Sequence, residues 1–469
     1  MAQFDKALTL PFSGDPLEVV VALLKCRREE DYFAYEHGDT WFIGLRSYAS
    51  LIIEPDGKTA VRVDQNGRRE SYLVNAHLND IARAFNLEYS THGKVFGQVG
   101  FNYSAHIAGQ AYIPGQWPIL SLMAPCVQVA VSPESIIVTG AMKDEAKVVF
   151  GLIQNYIVGL GRTNGFIPSG YPSINLQSDS YDYKARVARA VSDIKKGKYT
   201  KAIPSRMVCL SRRVDMLATL LHGRRANTPA RTFTFNHMGF QATGFSPEVV
   251  LSVNNQLVFT EALAGTQISH GACSQLQDDP KEVMEHTIAV RGSIRRLKHI
   301  CFPDSVVIKD FLTTITRGNV NHLYSRIMGH ISPGKDGWDS IRSNITVPAL
   351  PRERNMEAID AFEPYPRELF CGSVLMLDGP RFFEATLALR TVFQDQHRQW
   401  LQAGAGITAL SDPEREFTET CEKLGSVAPY VVAEAGERIT ALSYPQFGFA
   451  ETYEKLGSVA PYVMAEARV

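Results

Sequence analysis

The chain lacks the features that mark several classes of protein. No apolar run approaches the length of a membrane span, and the N-terminal MAQFDKALTLPFSGD has no basic stretch followed by an apolar one. Its 48 Lys and Arg residues balance 49 Asp and Glu residues, for a net charge of −1, which leaves no surplus of positive charge to attract nucleic acid or an acidic membrane surface. We therefore expect a small-molecule partner, no nucleic-acid or membrane partner, and a cytoplasmic location.

Cysteine and glycine patterns exclude two further kinds of site. The seven cysteines are scattered, odd in number and never spaced as Cys-X-X-Cys, which fits a reduced intracellular protein and offers no zinc site. The glycine-rich GLGRTNG at 159–165 has the wrong spacing for a dinucleotide-binding loop. We interpret this segment as a turn.

No Pro-, Gly- or Ser-rich linker and no long block of like charge divides the 469 residues. With 45% hydrophobic residues the chain can bury a large core, so we expect one large domain or two fused layers. We divide it into a β-rich N-terminal part of that fold at 1–170, a catalytic core at 171–436 and a C-terminal tail at 437–469.

The periodicity of apolar residues indicates mixed secondary structure. Short β-rich runs such as TWFIGLRSYASLIIE and CVQVAVSPESIIV occupy residues 40–140, and the apolar residues of 181–196 recur at helical spacing. Further on, turn residues such as Asp378 and Gly379 separate β-rich runs into hairpins. The expected class is α+β, with antiparallel β-sheets flanked by helices.

Two segments predict helices with the same kind of start. In QAGAGITALSDPEREFTETCEKLG, Asp412 is a favourable N-cap and Pro413 a favourable first residue, and the helix should end at Gly425. In QDDPKEVMEHTIAVRGSIRRLKH, Asp279 and Pro280 open a helix in the same way.

Both predicted helices carry a pair of carboxylates. Glu416 and Glu419 stand three residues apart, as do Glu282 and Glu285, so each pair projects from one helix face, and Lys423 shares the face of the first pair. Either face could simply be solvated, but two such helices facing each other would make a cation site. Carboxylate oxygens are ligands that Mg²⁺ prefers, so we predict Mg²⁺ as the cofactor.

Nine motifs occur in the order seen in chorismate-utilizing enzymes. They are KYTKAIPSR, GFSPEVV, EALAGT, KEVMEH, RGNVNHL, RELFCG, TLALR, QAGAGI and DPEREFTETCEKL. Through them, residues 180–436 resemble a salicylate synthase of that family. The resemblance implies a large chorismate-binding fold and an enzyme that uses Mg²⁺, converts chorismate to isochorismate and then eliminates pyruvate to leave salicylate.

The resemblance implies two catalytic roles. Lys201 in YTKAIPSR corresponds to the general base for the water that attacks C2 of chorismate, and Glu248 in GFSPE corresponds to the general acid that protonates the leaving C4 hydroxyl. The chemistry needs both, because adding water while expelling hydroxide requires one group that removes a proton and another that supplies one. A carboxyl group can be the acid only if its pKa is raised.

The resemblance also implies which residues bind Mg²⁺ and which bind the substrate. Glu285 and Glu419 correspond to the Mg²⁺ ligands, with Glu282 and Glu416 beside them as direct or water-mediated supports. A further set corresponds to substrate-binding residues: Thr266, His322, Phe370, Arg390, Gly404, Gly406 and Lys423. Of these, Arg390 suits the pyruvyl-ether carboxylate because its planar guanidinium can meet a carboxylate with two hydrogen bonds. The two glycines would let a ligand lie against the backbone.

Three residues depart from the family pattern: Phe370 replaces the usual tyrosine, Gln267 the usual arginine after LAGT, and Ala349 the usual glycine in TVPALP. They bear on substrate affinity and pyruvate loss more than on the first step, so an isochorismate synthase that stops at the first product is the alternative. A non-catalytic chorismate-binding protein is a hypothesis from a different class. Within the family that the chain resembles, Lys201 implies water rather than ammonia as the nucleophile, so we expect no amidotransferase subunit. We also expect a monomer.

The C-terminal tail repeats part of the second predicted helix. Residues 451–467 copy residues 419–435 with two changes. The position that corresponds to Glu416 is Gly448, and neither the preceding glycines nor the Asp-Pro cap is repeated. Only the first copy can therefore serve the predicted site, and we expect the tail to lie outside the catalytic core.

Truncation after Glu434 should leave the turnover of chorismate nearly unchanged, because every predicted site residue precedes it. In the full chain, Glu419→Gln should abolish turnover and Glu451→Gln should not. Both variants are to be assayed side by side for loss of chorismate. Loss of turnover with Glu451→Gln alone would show that the second copy serves the site.

Overall fold

The structure, a computed structural model, describes residues 7–159, 174–179, 181–268, 276–318, 320–344, 349–350 and 354–434. The duplicated tail and most of the predicted turn at 159–165 lie outside these ranges. The described residues up to Glu434 belong to one compact unit. None of their helices is both long and apolar enough to cross a membrane.

Helices and strands alternate along the described chain. The ten α-helices are α1 (Pro16–Cys26), α2 (Leu78–Glu88), α3 (Tyr103–Ile107), α4 (Lys143–Gly159), α5 (Tyr183–Lys195), α6 (Met216–Ala226), α7 (Pro280–Lys298), α8 (Gly337–Asn344), α9 (Asn355–Phe362) and α10 (Pro413–Gly425). The strands are β1 (Leu8–Pro11), β2 (Tyr32–His37), β3 (Thr40–Ile53), β4 (Thr59–Asp64), β5 (Arg69–Leu73), β6 (Val95–Val99), β7 (Leu120–Val131), β8 (Ser135–Gly140), β9 (Lys201–Ala202), β10 (Ser205–Cys209), β11 (Arg231–His237), β12 (Phe240–Ser246), β13 (Val249–Asn254), β14 (Leu257–Ile268), β15 (Val307–Arg317), β16 (Val320–His330), β17 (Ala349–Leu350), β18 (Ser373–Asp378), β19 (Phe382–Leu387), β20 (Thr391–Gln394) and β21 (Gln399–Gly404).

All of these strands except β9 and β17 form one antiparallel sheet system that closes on itself. The long strands β3 and β7 pair with each other, while β3 also pairs with β2 near its start and with β4 near its end. The N-terminal strands β2 and β6 pair with β11 and β18, so both halves of the chain share one sheet system. Helices such as α6 and α7 pack on its strands. The predicted α+β class, with antiparallel sheets flanked by helices, is confirmed.

Two neighbouring runs of consecutive strands in this sheet system, β12–β13 and β19–β20, are interrupted side by side. Pro247 and Glu248 separate β12 from β13, and Pro247 has no N–H to offer a ladder. Residues 388–390 separate β19 from β20, and Arg390 has a left-handed backbone with a φ of 53°. The N–H of Leu387 donates to the carbonyl oxygen of Glu248 over 3.1 Å, which ties the two interruptions together.

Helix α7 is held against β14 and β16 by a buried histidine. Strand β14 shifts its register just before Thr266, where Gly265 has a φ of 84°. His286 of α7 lies 3.1 Å from the carbonyl oxygen of Ala264 at this shift and 2.7 Å from Ser325 Oγ on β16. These two contacts fix which face of α7 meets the sheet, and therefore where its carboxylates lie.

The two predicted helix starts are confirmed. Asp412 caps α10 and Asp279 caps α7, each by accepting hydrogen bonds from two N–H groups of the first turn. Helix α10 follows β21 and packs against that strand and against α5. Arg415 Nη2 of α10 lies 3.4 Å from Asp279 Oδ2, so the N-termini of α7 and α10 are adjacent.

Candidate active site

A cavity of about 1280 Å³ collects residues from the sheet system and from the helices on it. Its wall includes all of the predicted catalytic and substrate-binding residues: Lys201, Glu248, Thr266, His322, Phe370, Arg390, Gly404, Gly406 and Lys423. Of the four predicted metal ligands, Glu285 is part of this wall, whereas Glu282, Glu416 and Glu419 are not. Residues that are far apart in the sequence therefore meet at one cavity.

Lys201 is fixed in place by backbone pairing and by a carboxylate. Its neighbour Ala202 exchanges backbone hydrogen bonds of 3.1 and 2.7 Å with Ile407, and Lys201 Nζ donates to Glu285 Oε1 over 2.9 Å. A Cβ at Gly406 would collide with Glu285 Oε1 and would lie 3.1 Å from Lys201 Cε. The bare backbone at Gly406 thus makes room for this ion pair.

Four carboxylates converge on one lysine between α7 and α10. Lys281 Nζ lies 3.1 Å from Glu282 Oε1 and 3.4 Å from Glu285 Oε2, both on its own helix. The same atom lies 3.9 Å from Glu416 Oε1 and 3.9 Å from Glu419 Oε2. We call these four glutamates the carboxylate cluster. Among the described residues, no group of acidic, His or Cys side chains is already arranged as a metal ion requires; the centre of the cluster is an ammonium group.

Charge within the carboxylate cluster is unevenly compensated. Glu416 is fully buried, and neither of its oxygens receives a well-formed hydrogen bond from the described residues. Burial, reinforced by Glu419, raises the pKa of Glu416 to about 7, and burial also raises the pKa of Glu282. Burial acts in the same direction on Glu285, but two lysine neighbours outweigh it and hold the pKa of Glu285 below its ordinary value.

The carboxylate cluster fits a hard divalent cation. Its donors are all carboxylate oxygens, the type that Mg²⁺ prefers. The two buried oxygens of Glu416 are poorly satisfied by the single ammonium group 3.9 Å away, and a divalent cation would stabilise them better than that group does. Because Glu285 also faces the cavity, an ion held there would lie beside a bound substrate.

Glu248 has the electrostatic character of an acid. It faces the cavity from the gap between β12 and β13 and is otherwise enclosed by protein. Burial, with a contribution from Glu261, raises the pKa of Glu248 to about 8, and the opposing effects of Arg296 and Lys201 are smaller. The carboxyl group is therefore largely protonated at neutral pH, as a general acid requires.

Another part of the wall is prepared for an anion. Arg390 faces the cavity and makes no ion pair with a described carboxylate, and burial lowers the pKa of Arg390 to about 10. Arg390 Nη2 lies 3.4 Å from His322 Nε2, and His322 Nδ1 lies 3.3 Å from Thr266 Oγ1. Because arginine can only donate, Nε2 accepts and Nδ1 carries the proton. Burial holds the pKa of His322 well below its ordinary value, so the ring is neutral and Arg390 keeps its charge for a carboxylate ligand.

Lys423 joins the end of β21 to the carboxylate cluster. Its Nζ donates to the carbonyl oxygen of Gly404 over 3.0 Å and to Glu419 Oε1 over 2.6 Å. A Cβ at Gly404 would lie 2.8 Å from the carbonyl oxygen of Pro204, so a larger residue would push this strand end away. Both residues remain on the cavity wall.

Of the three departures from the family pattern, one can be placed in full. Phe370 is buried on the cavity wall, with the guanidinium of Arg367 5.7 Å from its ring centre. Its ring gives this part of the wall an apolar surface. The side chains of Gln267 and Ala349 lie outside the described residues.

The surroundings of α10 show that the sequence of the tail copy could not take the place of this helix. Glu416 is buried in the carboxylate cluster, and the tail has Gly448 at the equivalent position. Cys421 is buried with Arg206 Nη2 3.0 Å from its Sγ, where the copy has the much larger Tyr453. The copy therefore lacks the buried carboxylate and would not fit beside Arg206.

Two residues of the site were not predicted. Lys281 sits in the first turn of α7, where the helix dipole disfavours a cation, so its position is itself a signal that acidic partners lie nearby. His286 carries no such signal, because a single histidine on a helix face predicts no particular partner.

Comparisons with known proteins show the family to which the chain belongs. Residues 28–429 match the family described as chorismate binding enzyme. The chain is 32% identical over 444 residues to the salicylate synthase of Mycolicibacterium paratuberculosis, which spans 91% of this chain and 96% of that protein. It is 29% identical over 275 residues to anthranilate synthase component 1 of Haloferax volcanii, 55% of this chain and 52% of that protein. The chain therefore belongs to the chorismate-binding enzyme family. Its reaction is accordingly one that uses chorismate.

Solved structures share the fold. The menaquinone-specific isochorismate synthase from Escherichia coli superimposes with a TM-score of 0.67 at 18% identity, over 91% of this chain and 94% of that chain. Anthranilate synthase component I from Streptococcus pneumoniae superimposes with a TM-score of 0.71 at 18% identity, over 84% and 93%. At such identity the likeness concerns the fold alone, and the predicted chorismate-binding fold is confirmed.

Gly406→Ala should lower chorismate turnover by roughly a hundredfold or more, because the new Cβ would displace the Lys201–Glu285 pair by a large part of an ångström. Gly425→Ala is the matched control, since no atom of a neighbouring described residue lies within 4 Å of a Cβ there, and it should stay within about twofold of the parent. Turnover and thermal unfolding of both variants are to be measured together. A fully active Gly406→Ala protein would contradict the close approach described above.

Proposed function

We propose that this protein is a salicylate synthase that converts chorismate to salicylate and pyruvate through isochorismate, with Mg²⁺ at the carboxylate cluster. The observation that carries the proposal is the meeting, at one cavity, of an amine, a carboxyl group with raised pKa and a buried guanidinium that has no carboxylate partner among the described residues. The 32% identity over 91% of the chain to a protein named salicylate synthase supports it.

In the first step, water adds to C2 of chorismate and the C4 hydroxyl leaves. Lys201 would take a proton from the attacking water in its deprotonated form, not as the ammonium group that pairs with Glu285, and the protonated Glu248 would give its proton to the leaving hydroxyl. The two groups come from different elements, β9 and the gap between β12 and β13, yet both face the cavity. Water enters and water leaves, so the product is an isomer of chorismate.

The carboxylate cluster and the remaining wall residues would bind and orient the substrate. Mg²⁺ would be held by Glu285, Glu419, Glu282 and Glu416. When bound, it would supply a Lewis acid and a positive charge for the ring carboxylate. Arg390 would bind the carboxylate of the pyruvyl ether, because its guanidinium is charged, enclosed and directed into the cavity. The neutral His322 would help to orient Arg390 by accepting its hydrogen bond of 3.4 Å, without adding charge.

The second step would release pyruvate and make the ring aromatic. Such an elimination is largely pericyclic and depends on a shaped pocket that excludes water more than on particular side chains. Phe370 gives that pocket an apolar wall. The runner-up is an isochorismate synthase that stops after the first step, which the fold shared with the Escherichia coli enzyme leaves as the alternative.

Purified protein given chorismate and Mg²⁺ should form salicylate and pyruvate in equal amounts, without ammonia, glutamine or an amidotransferase subunit. Salicylate fluorescence and a coupled pyruvate assay measure the two products, and EDTA should stop both. Isochorismate without pyruvate would favour the runner-up. Unchanged chorismate under all conditions would rule out both enzymes in favour of a non-catalytic binding protein.

The rate should depend on pH through Glu248. Because the acid must hold its proton, kcat should fall by about tenfold per pH unit above a pKa near 8. Glu248→Gln should abolish turnover while the affinity for chorismate, measured by calorimetry, stays close to that of the parent. A profile that stays flat well above pH 8, or an active Glu248→Gln protein, would remove Glu248 from the role of acid.

A further inference from the structure

A lysine occupies the centre of the carboxylate cluster. The side chain of Lys281 is 6% exposed, and its ammonium group lies within 3.9 Å of an oxygen of each of the four glutamates. The other cations described at the cluster, Lys201, Lys423 and Arg415, each pair with one of its members only. Lys281 is thus placed to compensate the negative charge of all four glutamates.

The helix itself does not explain this position. A cation in the first turn of a helix is disfavoured by the helix dipole, and burial of a lysine is unfavourable unless acidic groups surround it. Lys281 is both in the first turn of α7 and buried, so both unfavourable effects act on it. The attraction of the four carboxylates is therefore what holds it there.

The same position is the one a divalent cation would take. An ion bound by Glu285 of α7 and Glu419 of α10 must lie between these two helices, where Lys281 Nζ lies 3.4 and 3.9 Å from their carboxylates. Two positive groups cannot share that position, because little water is present to screen their repulsion.

We propose that Lys281 is an internal counter-ion: it neutralises the carboxylate cluster in the metal-free protein and leaves it when a divalent cation binds. The inference rests on the proposed Mg²⁺ site, because lysine and ion compete for the same oxygens. Competition lowers the apparent affinity for the ion, since only the fraction of molecules with Lys281 displaced can bind it. In exchange, the four carboxylates do not repel one another while no ion is bound.

The first test compares Lys281→Gln with Arg415→Gln, without substrate. Arg415 is the matched control, because its guanidinium pairs with Glu282 at 2.9 Å but is 54% exposed and at the edge of the cluster. Calorimetric titration with Mg²⁺ should give a Kd at least about tenfold lower for Lys281→Gln and nearly unchanged for Arg415→Gln. The metal-free Lys281→Gln protein should also unfold at a lower temperature and gain more from Mg²⁺ than the parent does.

The second test uses the unmodified protein and does not depend on a variant that folds. An amine-acylating reagent followed by mass spectrometry should modify Lys281 slowly in the metal-free protein and several times faster with saturating Mg²⁺. Lys184, which pairs with Glu414 outside the cluster, should react equally in both states. Unchanged or slower modification of Lys281 on binding of Mg²⁺ would overturn the inference.

The outcomes separate this inference from the proposed function. If Mg²⁺ binds and Glu285→Gln or Glu419→Gln weakens it, but Lys281 stays protected and Lys281→Gln binds Mg²⁺ no more tightly, the counter-ion role alone is wrong. If the parent protein binds no Mg²⁺ in the titration, both the proposed metal site and the counter-ion role are wrong.

Discussion

The burial of four carboxylates in one small region is the constraint on which the site depends. Buried charges persist only when oppositely charged groups compensate them. Here the lysines that do so come from three separate elements, Lys201 from β9, Lys281 from α7 and Lys423 from α10. The charges therefore fasten these elements to one another. The negative charge that suits a divalent cation would destabilise the fold if it were left alone.

The interrupted runs of strands solve a different problem. A side chain inside a continuous ladder points either into the core or into solvent, and neither position suits an acid that must stay protonated yet reach a ligand. Glu248 lies in the gap between β12 and β13, where protein encloses it on all sides except the cavity. Enclosure raises its pKa, and the gap gives it access. Arg390, at the gap between β19 and β20, is likewise enclosed by protein and open to the cavity, but it carries a positive charge.

Local features could be predicted from the sequence, and long-range ones could not. The caps Asp279 and Asp412 follow from residue types within one helical turn, and the carboxylate pairs follow from helical spacing. The closure of the sheet depends on pairings between strands some 200 residues apart, such as β2 with β11. A pattern of alternating apolar residues predicts a strand but does not identify the strand with which it pairs. Lys201, Glu248 and Arg390 stood out only through family motifs, because an isolated lysine, glutamate or arginine is usually solvated.

The interleaving of early and late strands has a consequence for synthesis of the chain. Strand β2 cannot complete its pairing until β11 has been translated, and β6 cannot until β18 has been translated. The N-terminal strands therefore leave the ribosome with unpaired edges. Such edges are sites of mispairing between nascent chains. Chaperone binding during translation would protect them, and the candidate site would be assembled only after α10 has been translated.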